Sequence, residues 1–199
     1  QLFPSDKCSC PIHQDWSGLL QSVVCCTTCG KDSVTEESFF DISLDTHLSS
    51  GQLSGTLNDL LDKFTSPEQL HSGQYFCAQC GSYSGECWKK MNFATLPTLF
   101  TVHIKRFSKQ EFKLQVPVEL DLSVYCCSHS SSSLYSLYAV ICYVGNMESG
   151  HYYCILRHSE LGWVCIDDSV VKPIGINLPI ELISNAYLLF YQRKGSRYS

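Results

Sequence analysis

The sequence predicts an α+β fold: a largely antiparallel sheet of long strands with a cysteine-bearing extension near its start. Three observations carry this. Short runs rich in Val, Ile, Tyr, Phe and Thr recur between clusters of Gly, Ser, Asp and Pro, which is the composition of strands and their turns. One stretch has clear apolar spacing of helical period. Two Cys-x-x-Cys pairs, each followed by Gly, stand on either side of that stretch.

The strand candidates, in order, are "SVVCC" at 22–26, "SFFDISLDT" at 38–46, "LFTVHIKRF" at 99–107, "SLYAVICYVG" at 136–145, "HYYCILR" at 151–157, "WVCIDD" at 163–168 and "AYLLFYQR" at 186–193. In "FDISL", Phe40, Ile42 and Leu44 alternate with Asp41 and Ser43, so one face should be buried and one wet. "YAVICYV" and "AYLLFY" lack that alternation, as strands covered on both sides do. The helix lies in "SGTLNDLLDKFTSPEQL", where Leu57, Leu60, Leu61 and Phe64 fall at i, i+3, i+4 and i+7. Thr56 and Asp59 form a capping pair at its start, and Pro67 marks its end. A second short helix is expected around 179–185, a Ser-rich loop at "CCSHSSSSLYS" and a polar tail at "KGSRYS".

At 199 residues and 44% hydrophobic, the chain can bury one good core. A formal charge of -5 and a pI near 5.8 argue against a broad footprint for nucleic acid or anionic lipid and suit a basic-surfaced partner better. Neither a membrane span nor a signal peptide is visible. The chain starts at Gln1 without a Met, which leads us to expect a piece of something longer. Thirteen cysteines is an odd count, and the adjacent pairs Cys25-Cys26 and Cys126-Cys127 are awkward to bridge. A reducing compartment, cytoplasm or nucleus, accommodates them best.

Cys26-x-x-Cys29 and Cys77-x-x-Cys80 have the zinc-knuckle form, in which a tight turn offers two thiolates about 2.3 Å from one metal. Together they would make a structural site with four thiolate ligands, although the 47 residues between them exceed the 15–20 of a compact ribbon. The intervening strand and helix would be an excursion that returns to the site. Cys25 could replace Cys26, but the spacing prefers Cys26. A second cluster, Cys8, Cys10 and His13, offers three ligands within six residues; a second zinc site and a solvated strand without metal account for it equally well. Cys87, Cys142, Cys154 and Cys165 read as core residues.

In "ESGHYYCILRHSELGWVCIDDS", His151 follows Gly150, whose lack of a side chain lets a substrate backbone approach. Asp167 comes sixteen residues later, a spacing at which a hairpin brings its carboxylate beside the imidazole. Such a carboxylate fixes the tautomer and leaves the other ring nitrogen to activate a nucleophile. A histidine at a strand edge is more often structural, so the pattern alone decides little.

The motifs in sequence resemble the ubiquitin-specific proteases, papain-like cysteine proteases that remove ubiquitin from lysine side chains. "ESGHYYCILR…GWVCIDDSVV" resembles the family's His box, "ATLPTLFTVHIKRF" the strand leading into its palm, and "NAYLLFYQR" its closing strand. The two knuckles resemble its split zinc ribbon. "CSCPIHQDWSGLLQSVVCCTTCG" and "FTSPEQL" further resemble the branch that serves the SAGA transcription co-activator and acts on ubiquitinated histone.

The resemblance implies zinc-ribbon fingers over about residues 16–95 and a palm over about 96–193, with the thumb lobe absent. It implies His151 as catalytic base, Asp167 as its orienting carboxylate, Asp168 as an assisting group, and Gly150 and Tyr152 as the border of the channel for ubiquitin's tail. Cys26, Cys29, Cys77 and Cys80 would hold the structural Zn2+. Ubiquitin, ubiquitinated proteins including histones, and co-activator subunits are the implied partners. Two departures stand out. No stretch resembles the family's N-terminal box with its reactive Cys, so this chain by itself is expected not to cleave; a ubiquitin-binding scaffold without catalysis is the alternative. Tyr143 stands where the family usually has the histidine of an H-x-G sequence.

Overall fold

The computed structural model describes residues 8, 10–47, 53–106, 112–128, 133–146 and 148–196. Phe107 and residues 129–132, within two of the predicted segments, and the last three residues of the polar tail lie outside the described residues.

A short helix α1 (Pro11–Asp15), with Pro at its first position, leads into β1 (Gly18–Cys26) and β2 (Asp32–Phe39). Next come β3 (Ile42–Asp45), β4 (Ser54–Thr56), α2 (Leu57–Thr65), β5 (Glu68–Leu70), β6 (Phe76–Cys77), β7 (Ser82–Tyr83) and β8 (Cys87–Thr95). The second half runs β9 (Leu99–Lys105), β10 (Lys113–Gln115), β11 (Glu119–Asp121), a 3₁₀ turn at Ser123–Tyr125, β12 (Leu134–Gly145), β13 (Gly150–His158), β14 (Gly162–Asp167), β15 (Val170–Gly175), α3 (Ile180–Ile183) and β16 (Ala186–Arg193).

Four strands form one sheet in the order β2-β1-β8-β5, and it carries the cysteine knuckles at one end. Eight form the other, in the order β15-β14-β13-β12-β16-β9-β3, with β11 beside the half of β12 that β13 leaves free. All pairings in the two sheets are antiparallel except β3 with β9. The stretch 16–95 therefore divides between the sheets, since β3 joins the larger one.

The predicted strand 38–46 is two strands, because the chain must leave β1 and cross to β9. The break at Phe40 and Asp41 buries Phe39, leaves Phe40 39% exposed, and keeps the expected alternation only for Ile42 and Leu44. β12 is not evenly covered either. Tyr135, Leu137, Val140 and Cys142 are buried while their neighbours are half-buried, and a register shift between Leu137 and Ala139 changes the parity of the alternation. Sequence periodicity misses β8, whose Lys89, Lys90 and Asn92 interrupt its apolar residues, and β15, where Pro173 is tolerated because the strand lies at the sheet edge.

One apolar core serves both sheets, with Phe93 of β8 against Phe39 and Phe100 at ring separations of 5.7 Å each. Helix α2 closes it with Leu57, Leu60 and Leu61, all buried, each worth about 1.5–3 kcal/mol relative to exposure. Its start is a full capping box: the Asp59 amide donates to Thr56 Oγ1 at 3.1 Å and the Thr56 amide to Asp59 Oδ2 at 2.7 Å. Thr56→Ala is expected to cost about 1 kcal/mol, a fall in Tm of about 2–4 °C in a melt followed by circular dichroism.

Polar side chains fix the seams. Arg106 donates to three backbone carbonyls, those of Ala186 (2.8 Å), Phe112 (2.7 Å) and Ser184 (2.6 Å), and so ties β9 to the start of β16. Burial lowers its guanidinium pKa. Arg193 donates to the Tyr135 hydroxyl at 3.2 Å and to the Pro97 carbonyl at 2.9 Å.

Candidate functional site

The knuckles first become a site at the end of the smaller sheet. In each, the amide of the glycine after the second cysteine donates back to the carbonyl of the first: Gly30 to Cys26 at 2.8 Å and Gly81 to Cys77 at 2.9 Å. Both glycines are left-handed, with φ of 68° and 67°, which is why glycine closes each turn. The excursion between the knuckles returns as the sequence requires, placing Cys29 Sγ 3.7 Å from Cys77 Sγ and Cys26 Sγ 4.0 Å from Cys80 Sγ. All four sulfurs lie within 4.8 Å of one another.

Four metal–sulfur bonds of about 2.3 Å in a tetrahedron hold the sulfurs about 3.8 Å apart, so the arrangement fits a metal such as zinc. Amides at Cys29 and Thr28 and the Ser84 hydroxyl hold the Cys26 pKa down to about 5, whereas the crowding of Cys29 and Cys77 pushes Cys80 up to about 12. Four thiolates at this spacing need a cation among them. Ser84 is a contributor that spacing did not reveal: it is buried, lies 3.6 Å from Cys26 Sγ and accepts from the Cys87 thiol at 2.9 Å. Cys25 stands outside the cluster, with Asp32 raising its pKa.

At the N-terminus, Cys8, Cys10 and His13 also bring their ligand atoms within 4.8 Å, with Cys10 Sγ 3.0 Å from His13 Nδ1. Of the two alternatives, the solvated strand is not what forms there: the segment turns into α1, which carries His13. His13 lowers the Cys10 pKa to about 7.

The third grouping is at the end of the larger sheet. β13 and β14 are antiparallel neighbours, and their register sets the start of one beside the end of the other. His151 Nε2 and Asp167 Oδ1 are hydrogen-bonded there, and among the described residues no hydrogen bond engages Nδ1. Both side chains are about half exposed, at 50% and 52%. The hydrogen bond and charge of Asp167 raise the His151 pKa, with a smaller contribution from Asp168. Because folding raises this pKa, the contact stabilises the fold fully below the ordinary value of about 6.5 and loses its effect as pH rises through the folded value. Asp168 completes a group within 4.8 Å and takes φ 49° at the first position of a two-residue turn, a conformation that aspartate tolerates better than most residues.

Gly150 and Tyr152 behave differently from His151. Alternation along β13 sends Tyr152 to the opposite face of the sheet, where its ring meets Tyr143 at 4.7 Å and Tyr187 at 5.7 Å. Tyr143 also covers Gly150.

An eight-stranded sheet ending in a histidine–aspartate pair, joined to a ribbon that gathers four cysteines, defines the ubiquitin-specific protease fold. The chain belongs to the ubiquitin carboxyl-terminal hydrolase family, whose model matches residues 3–191. It is 35% identical to ubiquitin carboxyl-terminal hydrolase nonstop of Drosophila melanogaster over 96% of its own length and 41% of that protein. It is 32% identical to human ubiquitin carboxyl-terminal hydrolase 22, over 97% of its length and 45% of that protein. Among solved structures, the SAGA Ubp8/Sgf11/Sus1/Sgf73 DUB module bound to ubiquitin aldehyde matches with TM-score 0.79 and 26% identity, over 96% of this chain and 44% of that one. The SAGA DUB module bound to monoubiquitin matches with TM-score 0.80 and 27% identity, over 98% and 44%. The chain thus spans less than half the length of these relatives.

Proposed function

We propose that this chain is the fingers and palm of a thiol-dependent deubiquitinase that hydrolyses isopeptide bonds at the ubiquitin C-terminus. The observation that carries the reading is the His151–Asp167 contact, which orients the ring and leaves Nδ1 for a thiol. In this reading His151 takes the proton of a cysteine, the thiolate attacks the isopeptide carbonyl, and the imidazolium returns the proton to the departing lysine amine. Water then releases ubiquitin from the acyl-enzyme, with His151 as base again. Asp167 steadies the imidazolium, and Asp168 adds negative charge nearby.

The cluster of Cys26, Cys29, Cys77 and Cys80 would hold a structural zinc ion, and Cys8, Cys10 and His13 would offer three ligands to a second. Bound at the first cluster, the metal would neutralise the thiolates and brace the ribbon. Ubiquitin, ubiquitinated proteins and co-activator subunits are the proposed partners, on the strength of the SAGA modules that the fold matches, and histones are proposed among the substrates from the resemblance of the sequence. Thirteen free thiols suit nucleus or cytoplasm, and no described helix is long and apolar enough to cross a membrane.

A second reading is a ubiquitin-binding scaffold without catalysis. Reporter hydrolysis separates the two. The pure 199-residue chain is expected to release no fluorophore from a ubiquitin C-terminal reporter, while the protein encoded by the full open reading frame turns it over. Turnover by the 199-residue chain would show a nucleophile within it; ubiquitin binding without turnover by the full protein would establish the scaffold.

A further inference from the structure

We propose that Tyr143 is a positioning residue for His151: its phenol clamps the turn from Gly145 to Gly150 that delivers the histidine. The inference rests on the deubiquitinase reading of His151. Tyr143 lies on β12 directly opposite Tyr152, so its ring sits on the face of the sheet away from the imidazole and acts on the backbone. Its hydroxyl donates to the Asn146 carbonyl at 2.5 Å. Its ring covers Gly150 so closely that a Cβ built there would stand 2.1 Å from the hydroxyl oxygen and 2.2 Å from the ring carbon that bears it.

The described residues of the turn are held by further contacts. The Asn146 amide donates to the Ser149 carbonyl at 2.8 Å, and the Asn146 side chain accepts from the amides of Glu148 at 2.9 Å and Ser149 at 3.0 Å. A Cβ on Gly145 would meet Gly150 Cα and the Ser149 carbonyl oxygen, each at 2.4 Å. Tyr143 reaches this turn from the strand, and His151 is the next residue after the atoms it holds. Gly150 is glycine because the phenol needs its space.

A double-mutant cycle on the full-length protein tests this. Tyr143→Phe keeps the ring and removes the hydroxyl, and kcat is expected to fall about five-fold, the size of one neutral hydrogen bond, with KM unchanged. Gly150→Ala in the wild-type background should cost about ten-fold or more, because the ring must be displaced. In the Tyr143→Ala background the same Gly150→Ala change should cost less than about three-fold, since the space is then vacant. A Gly150→Ala loss of equal size in both backgrounds, or a Tyr143→Phe effect confined to KM, would overturn the proposal in favour of a direct substrate contact. If the wild type hydrolyses nothing, the deubiquitinase reading fails by itself. The clamp is then read from amide hydrogen exchange, where Tyr143→Phe should speed exchange at Glu148 and Ser149, and unchanged protection would reject it.

Discussion

If the Cys26, Cys29, Cys77 and Cys80 cluster holds zinc as proposed, stripping the metal is expected to unfold the end of the four-stranded sheet. The reason is topological. Cys26 and Cys29 sit where β1 turns into β2, and Cys77 and Cys80 where β6 turns into β7. The strand pairings around the second knuckle are short: β6 and β7 are two residues each, and β5 meets β8 over three. Two strands of that length are not stable alone in water. With the metal gone, four sulfurs within 4.8 Å of one another either protonate or repel, and neither state supplies the energy of metal–sulfur bonds. Structural zinc sites of this kind release about 10–16 kcal/mol in small peptides, so Cys77→Ser should lower Tm by more than any core substitution of similar size. The check is a melt of wild type and Cys77→Ser with and without chelator, beside a direct zinc assay. One zinc lost per chain together with a large fall in Tm is the expected result; an unchanged melt would show that the cluster does not brace the fold.

The second large effect belongs to His151. In the full-length protein, His151→Ala is expected to lower kcat on the order of 10⁴-fold or more, because the base and the general acid are removed together. Asp167→Asn should keep the imidazole in place but remove the charge that favours imidazolium. Its pKa, followed by NMR, should then move down toward the ordinary histidine value of about 6.5. An unmoved pKa would mean that the contact with Asp167 does not form in solution. Folding must be intact in both variants, and their distance from the core supports that, since both side chains are half exposed.

Much of this was legible in the sequence because it lies in short-range patterns. The helix was readable from Leu57, Leu60, Leu61 and Phe64, and its cap from Thr56 and Asp59, because both are local and repeat at the period of the backbone. The knuckles were readable for the same reason: two cysteines and a glycine within five residues dictate one turn. The pairing of the two knuckles, 47 residues apart, could be read only as an excursion that must return.

What escaped were features that a neighbouring strand decides. Phe39, not Phe40, is buried because β2 ends against β1 before the chain crosses to β9, and periodicity within "SFFDISLDT" carries no trace of that crossing. Ser84, 58 positions on from Cys26, stands beside it only after the intervening chain has folded. Gly150 shows the same limit at the candidate site. Its neighbour in sequence is a histidine, but its neighbour in space is the Tyr143 ring, which fills the place a Cβ would take.

The central claim is that His151 serves a cysteine that attacks the ubiquitin C-terminus. Its most direct test is labelling with ubiquitin that carries a thiol-reactive electrophile at its C-terminus, followed by peptide mapping. The full-length protein should form one covalent adduct, on a cysteine outside these 199 residues, and His151→Ala should slow its formation severely. No adduct in the full-length protein, or an adduct on one of the thirteen cysteines described above, would contradict it.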